Sequence, residues 1–279
     1  MAEEFDIWDL DNQTIREVYL KDNYECIDTG KVSKWCYIFF SSNGLYYPDT
    51  KENFVEQIVR NDRYEWKWIV KNSQIPQKAG RIVYVRDIYK KWYSYGINAT
   101  ANSIDKTIEL LKRLTEGFQV VTIGSSAGGY MATLAAVKLH AVYCINFSGQ
   151  YKIAEDLGNP YYNLVSLLEN YQGKIFYFVP ALCPNDVEQY QLIEGKKCVK
   201  CFYFDDNKHA STMLTGNMPY IVGTTEARLE RLYDKYCGKR IHKIEFLLHT
   251  VPMTYWGKIF YREIKGYIIR RSGRHWNGV

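Results

Sequence analysis

Short runs of apolar residues alternate with polar, helix-forming stretches along most of the chain. The runs are continuous and rich in β-branched and aromatic residues, which is typical of strands buried on both faces of a sheet. Strands of this kind separated by helices predict an α/β fold with a doubly wound, mostly parallel sheet. The predicted strands are WCYIFF (35–40), RIVYVRDI (81–88), QVVTIG (119–124), AVYCINFSG (141–149), KIFYFVPAL (174–182) and VKCFYFD (199–205).

Two of the polar stretches predict helices that pack on this sheet. In ANSIDKTIELLKRLTEG (101–117), apolar residues recur at helical spacing, Ser103 is suited to cap the start, and Gly117 is suited to end the helix. GGYMATLAAVKL (128–139) is rich in small residues, which allow a helix to pack closely on a sheet.

The N-terminal part is expected to extend the sheet. EVYLK (17–21) and YECIDTG (24–30) predict an antiparallel pair at one edge. No internal repeat, low-complexity tract or linker composition divides the chain. A single domain over residues 1–279 is therefore predicted, with a core at about 35–237.

Positive charge is concentrated in the C-terminal extension, residues 239–279. It carries nine Lys and Arg side chains against two acidic ones, whereas the whole chain has a net charge of +5. Apolar residues at helical spacing within 251–274 predict a basic amphipathic helix. Such a helix either packs on the protein's own core or a partner subunit, or contacts an anionic membrane or acidic polymer. Nucleic acid is not expected, because no recognisable binding module is present.

Two further features bear on location and cofactors. The N-terminus lacks the layout of a secretory signal and no apolar run approaches the roughly 18–20 residues of a membrane span. A cytoplasmic protein is expected, with the basic extension able to reach the inner face of the membrane. The seven cysteines lie mostly in apolar segments, which favours buried thiols over disulfides. Cys198-x-x-Cys201 lacks a second pair at ligand spacing, so neither a metal nor a cofactor is expected.

The segment with the strongest indication of chemistry is Gly124-Ser125-Ser126-Ala127-Gly128. It fits G-x-S-x-G with Ser126 at the centre, and it lies between a predicted strand and a predicted helix. A nucleophilic serine on such a tight turn needs small neighbours two residues away on each side, and it lies beside a helix N-terminus that can stabilise an oxyanion. The alternative is a strand-to-helix turn without chemistry.

A serine nucleophile needs a base and an acid. His209 follows the predicted strand 199–205, and Asp186 follows the predicted strand 174–182. Open α/β sheets build their sites at these carboxyl ends. The rivals of Asp186 are Glu188 and Asp206, and Asp186 itself is also suited to cap a helix.

An oxyanion hole needs two N–H donors. The backbone N–H of Ala127, the residue after the serine, is the first candidate. The second is expected from SSNG (41–44), a polar turn after the first predicted strand, with Ser42 and Asn43 as donors.

From G-S-S-A-G, Asp186, His209 and the alternation of strands and helices, the chain resembles the α/β-hydrolase superfamily over roughly residues 35–237. The resemblance implies a Ser126–Asp186–His209 triad in which the serine attacks a carbonyl, the histidine transfers the proton and the aspartate orients the imidazole. The chain departs from lipases and esterases in lacking their H-G-G-G stretch, so their substrate preferences are not carried over.

No long inserted lid separates the serine from the acid, which favours an open groove over a deep lipid pocket. Some bacterial glycan O-acetyltransferases and acetyl-esterases are similar in size and minimal lid. A small acyl ester of a carbohydrate, hydrolysed or transferred, is therefore the expected substrate. The alternatives are an amidase or peptidase, and a catalytically silent accessory or glycan-binding protein at a membrane surface. Several tyrosines are expected in loops at this groove, where their rings could stack on sugars. They are Tyr46, Tyr47, Tyr151, Tyr161 and Tyr162.

Overall fold

All six apolar runs that predict strands lie in one sheet of the protein. The structure is a computed structural model that describes residues 6, 9, 12–155, 158–210 and 212–271, with the side chains described to residue 265. The strands of the described chain are β1 (Tyr24–Asp28), β2 (Trp35–Phe40), β3 (Arg81–Val85), β4 (Gln119–Ser125), β5 (Tyr143–Phe147), β6 (Lys174–Pro180), β7 (Val199–Phe204) and β8 (Arg240–Ile241).

The strands lie in the order β1-β3-β2-β4-β5-β6-β7-β8. The pair β1 and β3 is antiparallel, and the other neighbouring pairs are parallel. Apolar clusters cover both faces of the sheet, and β5 is buried at every position. The predicted α/β fold, with its doubly wound and mostly parallel sheet, is therefore confirmed.

Helices pack on the two faces of the sheet, and two further helices follow its last strand, β8. A π-helical turn, Val55–Arg60, follows the second helix, and 3₁₀ turns precede the eighth and eleventh. The helices of the described chain are α1 (Gln13–Tyr19), α2 (Lys51–Phe54), α3 (Lys67–Lys71), α4 (Ile75–Lys78), α5 (Ile104–Leu114), α6 (Ala127–Lys138), α7 (Pro184–Gln191), α8 (Met218–Val222), α9 (Glu226–Tyr236), α10 (Lys243–Thr250) and α11 (Trp256–Arg271).

The start of α5 is set by the residue that the sequence indicated. The Ser103 hydroxyl accepts a hydrogen bond from the Lys106 N–H at 3.2 Å, which satisfies one of the free donors of the first turn. The helix ends at Leu114, and Gly117 follows with a φ of +79°.

The N-terminal edge differs from the prediction. Residues 24–28 do form an antiparallel edge strand, but its partner is β3, and residues 17–19 end α1. The prediction of a strand at 17–21 is wrong because Asn12 starts a helix there, its side chain accepting from the N–H of Thr14.

The basic C-terminal helix is present as α11, and its first turns pack on the protein. Ile259 is buried with Leu247 and Val251, and Trp256 and Phe260 pack against this cluster. The guanidinium carbon of Arg262 lies 4.0 Å from the centre of the Trp68 ring. The interpretation in which this helix packs on its own protein therefore holds for its first half.

The outer side of α11 keeps apolar groups in contact with solvent. The side chain of Tyr261 is 68% exposed and that of Ile264 is 60% exposed. Ile264 belongs to the apolar face that the sequence predicts for this helix. Two further members of that predicted face, Tyr267 and Ile268, lie beyond the described side chains. None of the helices within the described residues combines the length and apolar character needed to cross a bilayer.

Candidate active site

Ser126 is the single residue between the last residue of β4 and the first residue of α6. Its backbone angles are φ 51° and ψ −122°, a region that residues with side chains rarely occupy and that costs of order 1–3 kcal/mol. The turn is held from one side by the Ser126 N–H, which donates to the carbonyl of Phe147 at 2.9 Å. This geometry is the one that the G-x-S-x-G pattern requires of a nucleophile elbow.

The two glycines of the pattern are required by close backbone contacts. A Cβ on Gly124 would lie 2.1 Å from the carbonyl oxygen of Gly128, and a Cβ on Gly128 would lie 2.3 Å from that of Phe40. The second contact brings the end of β2 against the start of α6. The turn after β2 is therefore held beside the elbow.

The imidazole of His209 joins the serine to Asp186. The Ser126 hydroxyl donates to His209 Nε2 at 2.8 Å across 83 residues of sequence. On the other side of the ring, Nδ1–H donates to both carboxylate oxygens of Asp186, at 3.0 and 2.9 Å. The structure thus brings together the three side chains that the sequence indicated, at hydrogen-bond distances suited to proton transfer.

Asp186 lies in the first turn of α7 and is 2% exposed. A buried carboxylate of this kind needs a partner, and the imidazole of His209 is that partner. The two rival acids point elsewhere. Glu188 is exposed to solvent, and Asp206 forms an ion pair with Lys243.

The predicted oxyanion donors have different outcomes. Ala127 is the first residue of α6, and N–H groups of a first helical turn lack acceptors within the helix. The N–H of Ser42 is already engaged, since it donates to Glu65 Oε2 at 2.6 Å. The prediction of a Ser42 donor is wrong for this reason. Asn43, the next residue, has a backbone N–H without an acceptor among the described residues, and its role stays a prediction.

A cleft of about 520 Å³ opens above the serine. Its wall combines apolar rings and methionines with hydroxyl and amide groups. Among the described residues that line it, Glu65 is the carboxylate, and neither Lys nor Arg occurs. The lining residues are Ser42, Asn43, Gly44, Tyr47, Glu65, Trp66, Ile69, Ser125, Ser126, Phe147, His209, Ala210, Thr212, Met213, Thr215 and Met218.

The tyrosines predicted to contact substrate divide between surface and core. Tyr47 lines the cleft and is 82% exposed. Tyr46 is fully buried, and its hydroxyl donates to the carbonyl of Ile88 at 2.6 Å. Tyr151 is fully buried against Tyr177, their ring centres 5.2 Å apart. The predicted substrate contacts of Tyr46 and Tyr151 are therefore wrong, because neither ring reaches the surface.

Tyr161 and Tyr162 are only partly buried, but neither is among the residues of the cleft wall. Tyr161 donates its hydroxyl to Asp105 Oδ1 at 2.5 Å. These two rings therefore lie outside the cleft around Ser126.

Sequence reasoning missed the wall of the cleft formed by Glu65 and Trp66. The Trp66 ring stacks at 6.1 Å on Phe147, and its indole N–H donates to the carbonyl of Phe40 at 2.8 Å. Both residues precede α3, in a segment far from the elbow and without a catalytic motif. The one usable signal was a lone acid, Glu65, within the aromatic run YEWKW.

Metal-ligating side chains are dispersed in the part of the chain that the structure describes, and no group of three or more is brought together there. Cys198 and Cys201 both lie in the apolar cluster on one face of the sheet. Burial raises the pKa of the Cys201 thiol to about 12, which keeps it protonated and a poor ligand.

No model of a protein family matches the chain, and no curated protein matches it either. Among solved structures, the chain is similar to the capsule O-acetyltransferase of Neisseria meningitidis serogroup A, with 12% identity and a TM-score of 0.49 over 77% of this chain and 92% of that one. It is also similar to MenH from S. aureus, with 11% identity and a TM-score of 0.46 over 77% and 100% of the two chains.

A third similar structure is the esterase domain from a Rhodothermus marinus protein, with 8% identity and a TM-score of 0.45 over 76% and 98% of the chains. The solved structures to which the chain is similar include hydrolases, an esterase domain and an O-acetyltransferase, and one of the hydrolases is described as a member of the alpha/beta superfamily. In this chain eight strands form a mostly parallel sheet with an antiparallel β1–β3 edge, and the serine turn lies between β4 and α6. This topology matches that of the α/β-hydrolase fold. The chain therefore has the α/β-hydrolase fold.

Proposed function

We propose that this protein is a serine hydrolase or acyltransferase that works through an acyl-enzyme on Ser126. The observation that carries the proposal is the chain of hydrogen bonds from the Ser126 hydroxyl through His209 to the buried Asp186. Each group has the neighbour that its role requires, because the hydroxyl faces a base and the base is oriented by a carboxylate.

The reaction proceeds in two acyl transfers. Ser126 Oγ forms a bond to the carbonyl carbon while its proton passes to His209 Nε2, and Asp186 stabilises the resulting imidazolium. The tetrahedral oxyanion is received by the Ala127 N–H. The tetrahedral intermediate then collapses, and the bond to the leaving alcohol breaks as that oxygen takes the proton from His209. Water or a second hydroxyl then attacks the acyl-enzyme and loses its proton to His209. The bond between the acyl carbon and Ser126 Oγ breaks as that oxygen takes the proton from His209, which releases the acid or the new ester and restores the free serine.

The expected substrate is a small acyl ester, such as an acetyl ester, of a carbohydrate. The cleft of about 520 Å³ lies in the lower half of the range for ligand pockets, which is roughly 300–1,000 Å³. Its mouth carries the exposed ring of Tyr47, and Asn43, Thr212 and Thr215 add polar groups. An aromatic face beside hydroxyl and amide groups suits a sugar, which is apolar on its faces and polar around its edge.

Hydrolysis of p-nitrophenyl acetate tests the proposal. Ser126→Ala and His209→Ala are expected to lower turnover by roughly 10⁴-fold or more. Labelling with a fluorophosphonate probe should be lost in Ser126→Ala and retained in Ser125→Ala, since only an activated serine is phosphonylated. Added sugars that divert the acetyl group from water would identify a transferase.

A folded wild type that neither hydrolyses the ester faster than Ser126→Ala nor takes up the probe would contradict the proposal. The catalytically silent accessory protein would then be the better description. An active wild type that prefers anilides over esters would instead indicate an amidase.

We also propose that the outer side of α11 contacts an anionic membrane surface, at the inner face of the cytoplasmic membrane. Support comes from the exposed apolar side chains of Tyr261 and Ile264 beside the exposed cations Lys258 and Lys265. Apolar groups that enter the headgroup region and cations that attract anionic lipid are the two elements of interfacial binding.

Sedimentation with vesicles tests this contact. The wild type should bind vesicles of phosphatidylcholine with phosphatidylserine and not those of phosphatidylcholine alone. The double variant Lys258→Glu/Lys265→Glu should lose this binding, whereas Lys106→Glu/Lys112→Glu, on the exposed side of α5, should keep it. Binding to polyglutamate without binding to either vesicle would point to an acidic polymer.

A further inference from the structure

Glu65 enters the cleft from the segment before α3 and binds one residue of the turn after β2 with both of its oxygens. Oε2 accepts from the Ser42 N–H at 2.6 Å and Oε1 accepts from the Ser42 hydroxyl at 3.0 Å. Both oxygens are therefore occupied by the same residue. A carboxylate held in this way is a poor general base for a substrate, and it acts through the backbone that it holds.

The turn that Glu65 binds, residues 40–45, is held by several further hydrogen bonds. The Phe40 carbonyl accepts from the Trp66 indole, and the Ser41 carbonyl accepts from the Tyr93 hydroxyl at 2.8 Å. The Ser42 hydroxyl in turn accepts from the Gly44 N–H at 2.9 Å. Backbone and side-chain bonds thus fix the turn before any substrate arrives.

Most backbone N–H groups of this turn have an acceptor within the described residues. Ser41 donates to Val85, Ser42 to Glu65, Gly44 to the Ser42 hydroxyl and Leu45 to the Ser42 carbonyl. The Asn43 N–H is the exception among these five consecutive groups within the described residues. It belongs to a residue of the cleft wall, on the turn that Gly128 brings against the elbow.

We infer that Glu65 is a positioning residue of the active site: its carboxylate binds Ser42 and thereby fixes the turn so that the Asn43 N–H is the second oxyanion donor. This inference rests on the proposed function. Oxyanion stabilisation depends on donors that are in place before the charge develops, because reorganisation during the reaction costs the stabilisation that they would provide.

The charge of Glu65 is compatible with this role. Its side chain is half-buried, and burial, the largest effect, raises the pKa of Glu65 above its ordinary value although the two Ser42 hydrogen bonds lower it. The cations that favour its ionised form are Arg63 and Lys90. A glutamine has nearly the same shape, can accept from the Ser42 N–H and can donate to the Ser42 hydroxyl, so it should preserve the turn without the charge.

The test is steady-state hydrolysis of p-nitrophenyl acetate by Glu65→Ala and Glu65→Gln, with Glu52→Ala, an exposed glutamate on α2, as the matched control. Glu65→Ala is expected to lower kcat by about 10²-fold, comparable with losing one oxyanion donor, while KM changes little. Glu65→Gln should recover most of this loss. Ser42→Ala, which keeps the backbone donor and removes only the hydroxyl, should give a smaller decrease in kcat.

A Glu65→Ala variant with wild-type kcat would overturn the inference. A Glu65→Gln variant as slow as Glu65→Ala would also overturn it, because the effect would then come from the charge of Glu65. A Glu65→Gln variant faster than wild type would overturn it too, because the carboxylate would then slow the reaction. If Glu65→Ala does not fold, Glu65→Gln and Ser42→Ala still decide the question. Failure of the proposed function is recognised separately, because Ser126→Ala would then be no slower than wild type.

Discussion

Ile259 of α11 lies directly against Gly216, so closely that a Cβ on the glycine would be 2.8 Å from two of the Ile259 side-chain carbons. The residues on each side of this contact connect it to the site. Thr215, the residue before Gly216, and Met218, the first residue of α8, both line the cleft. The last helix therefore supports one wall of the cleft from behind.

Ile259→Ala is expected to destabilise the protein by about 2–4 kcal/mol and to raise KM for the ester, because the mutation leaves a cavity beneath that wall. Urea unfolding and steady-state kinetics measure the two effects. Ile264→Ala on the same helix, whose side chain is 60% exposed, is the control and should change stability by less than about 0.5 kcal/mol. Equal effects from both variants would contradict the conclusion that Ile259 supports the wall of the cleft.

The hydrogen bonds between Asp186 and the His209 ring lead to a second prediction. Asp186→Asn should reduce kcat by roughly 10³–10⁴-fold, because the amide no longer stabilises the imidazolium and favours the wrong tautomer. The variant should still react slowly with the fluorophosphonate probe. Glu188→Gln, an exposed residue of the same helix, should have wild-type kcat. A fast Asp186→Asn enzyme would exclude Asp186 as the acid.

The glycines of the elbow provide a third prediction. Gly124→Ala and Gly128→Ala should each destabilise the protein by several kcal/mol or prevent folding, since the added Cβ meets backbone at 2.1 and 2.3 Å. Gly257→Ala is the matched control. Nothing lies within 4 Å of a Cβ at that helical position, so this change should be neutral or stabilising by up to about 1 kcal/mol. Thermal unfolding ranks the three variants.

The adjacent residues Tyr46 and Tyr47 should respond differently to mutation, because Tyr47 lines the cleft and Tyr46 is buried. Tyr47→Ala is expected to raise KM for an acetylated sugar with little change in stability, because that ring is exposed at the cleft. Tyr46→Phe should leave KM unchanged and cost about 1 kcal/mol of stability, through loss of its hydrogen bond to Ile88. A Tyr47→Ala enzyme with wild-type KM would remove this ring from substrate binding.

Lys78 gives a pH dependence whose sign can be worked out. Its amine donates to the carbonyls of Gly223 and Thr224 at 2.9 and 3.0 Å, and burial lowers its pKa from the ordinary 10.5 to about 8. Between these values the unfolded chain binds a proton that the folded chain lacks, so this contribution to stability grows as the pH rises. It is complete above 10.5 and lost as the pH falls through 8.

The measurement is the difference in free energy of unfolding between wild type and Lys78→Met from pH 7 to pH 10. The difference should increase in favour of wild type above pH 8. A flat line would mean that the Lys78 amine keeps its ordinary pKa.

The sheet and the three catalytic candidates could be predicted because their signals are local. A strand buried on both faces must be apolar along its whole length, and Ser126, Asp186 and His209 each follow such a strand within a few residues. A parallel sheet places these strand ends at one edge. Their placement follows from the order of elements, while their catalytic roles stay predictions.

What could not be predicted depends on contacts between distant segments. Glu65 and Ser42 are 23 residues apart, and nothing in either segment indicates that they pair. Tyr46 and Tyr47 are neighbours in a loop without periodicity, so sequence alone could not tell the buried ring from the exposed one. Residues 17–19 follow the helical period because of a cap at Asn12, a signal easily overlooked beside a β-branched residue such as Val18.

The placement of the three groups after three different strands has a consequence for following the protein's assembly. The hydroxyl–imidazole contact alone joins residues 83 positions apart, and the acid comes from a third loop. No fragment ending before His209 carries the full set, and the three groups follow β4, β6 and β7, which lie together in the sheet only when these strands have paired through β5. Under the proposed function, recovery of turnover after dilution from denaturant therefore counts only molecules whose central strands have paired in the correct order, so turnover would report the assembly of the central sheet.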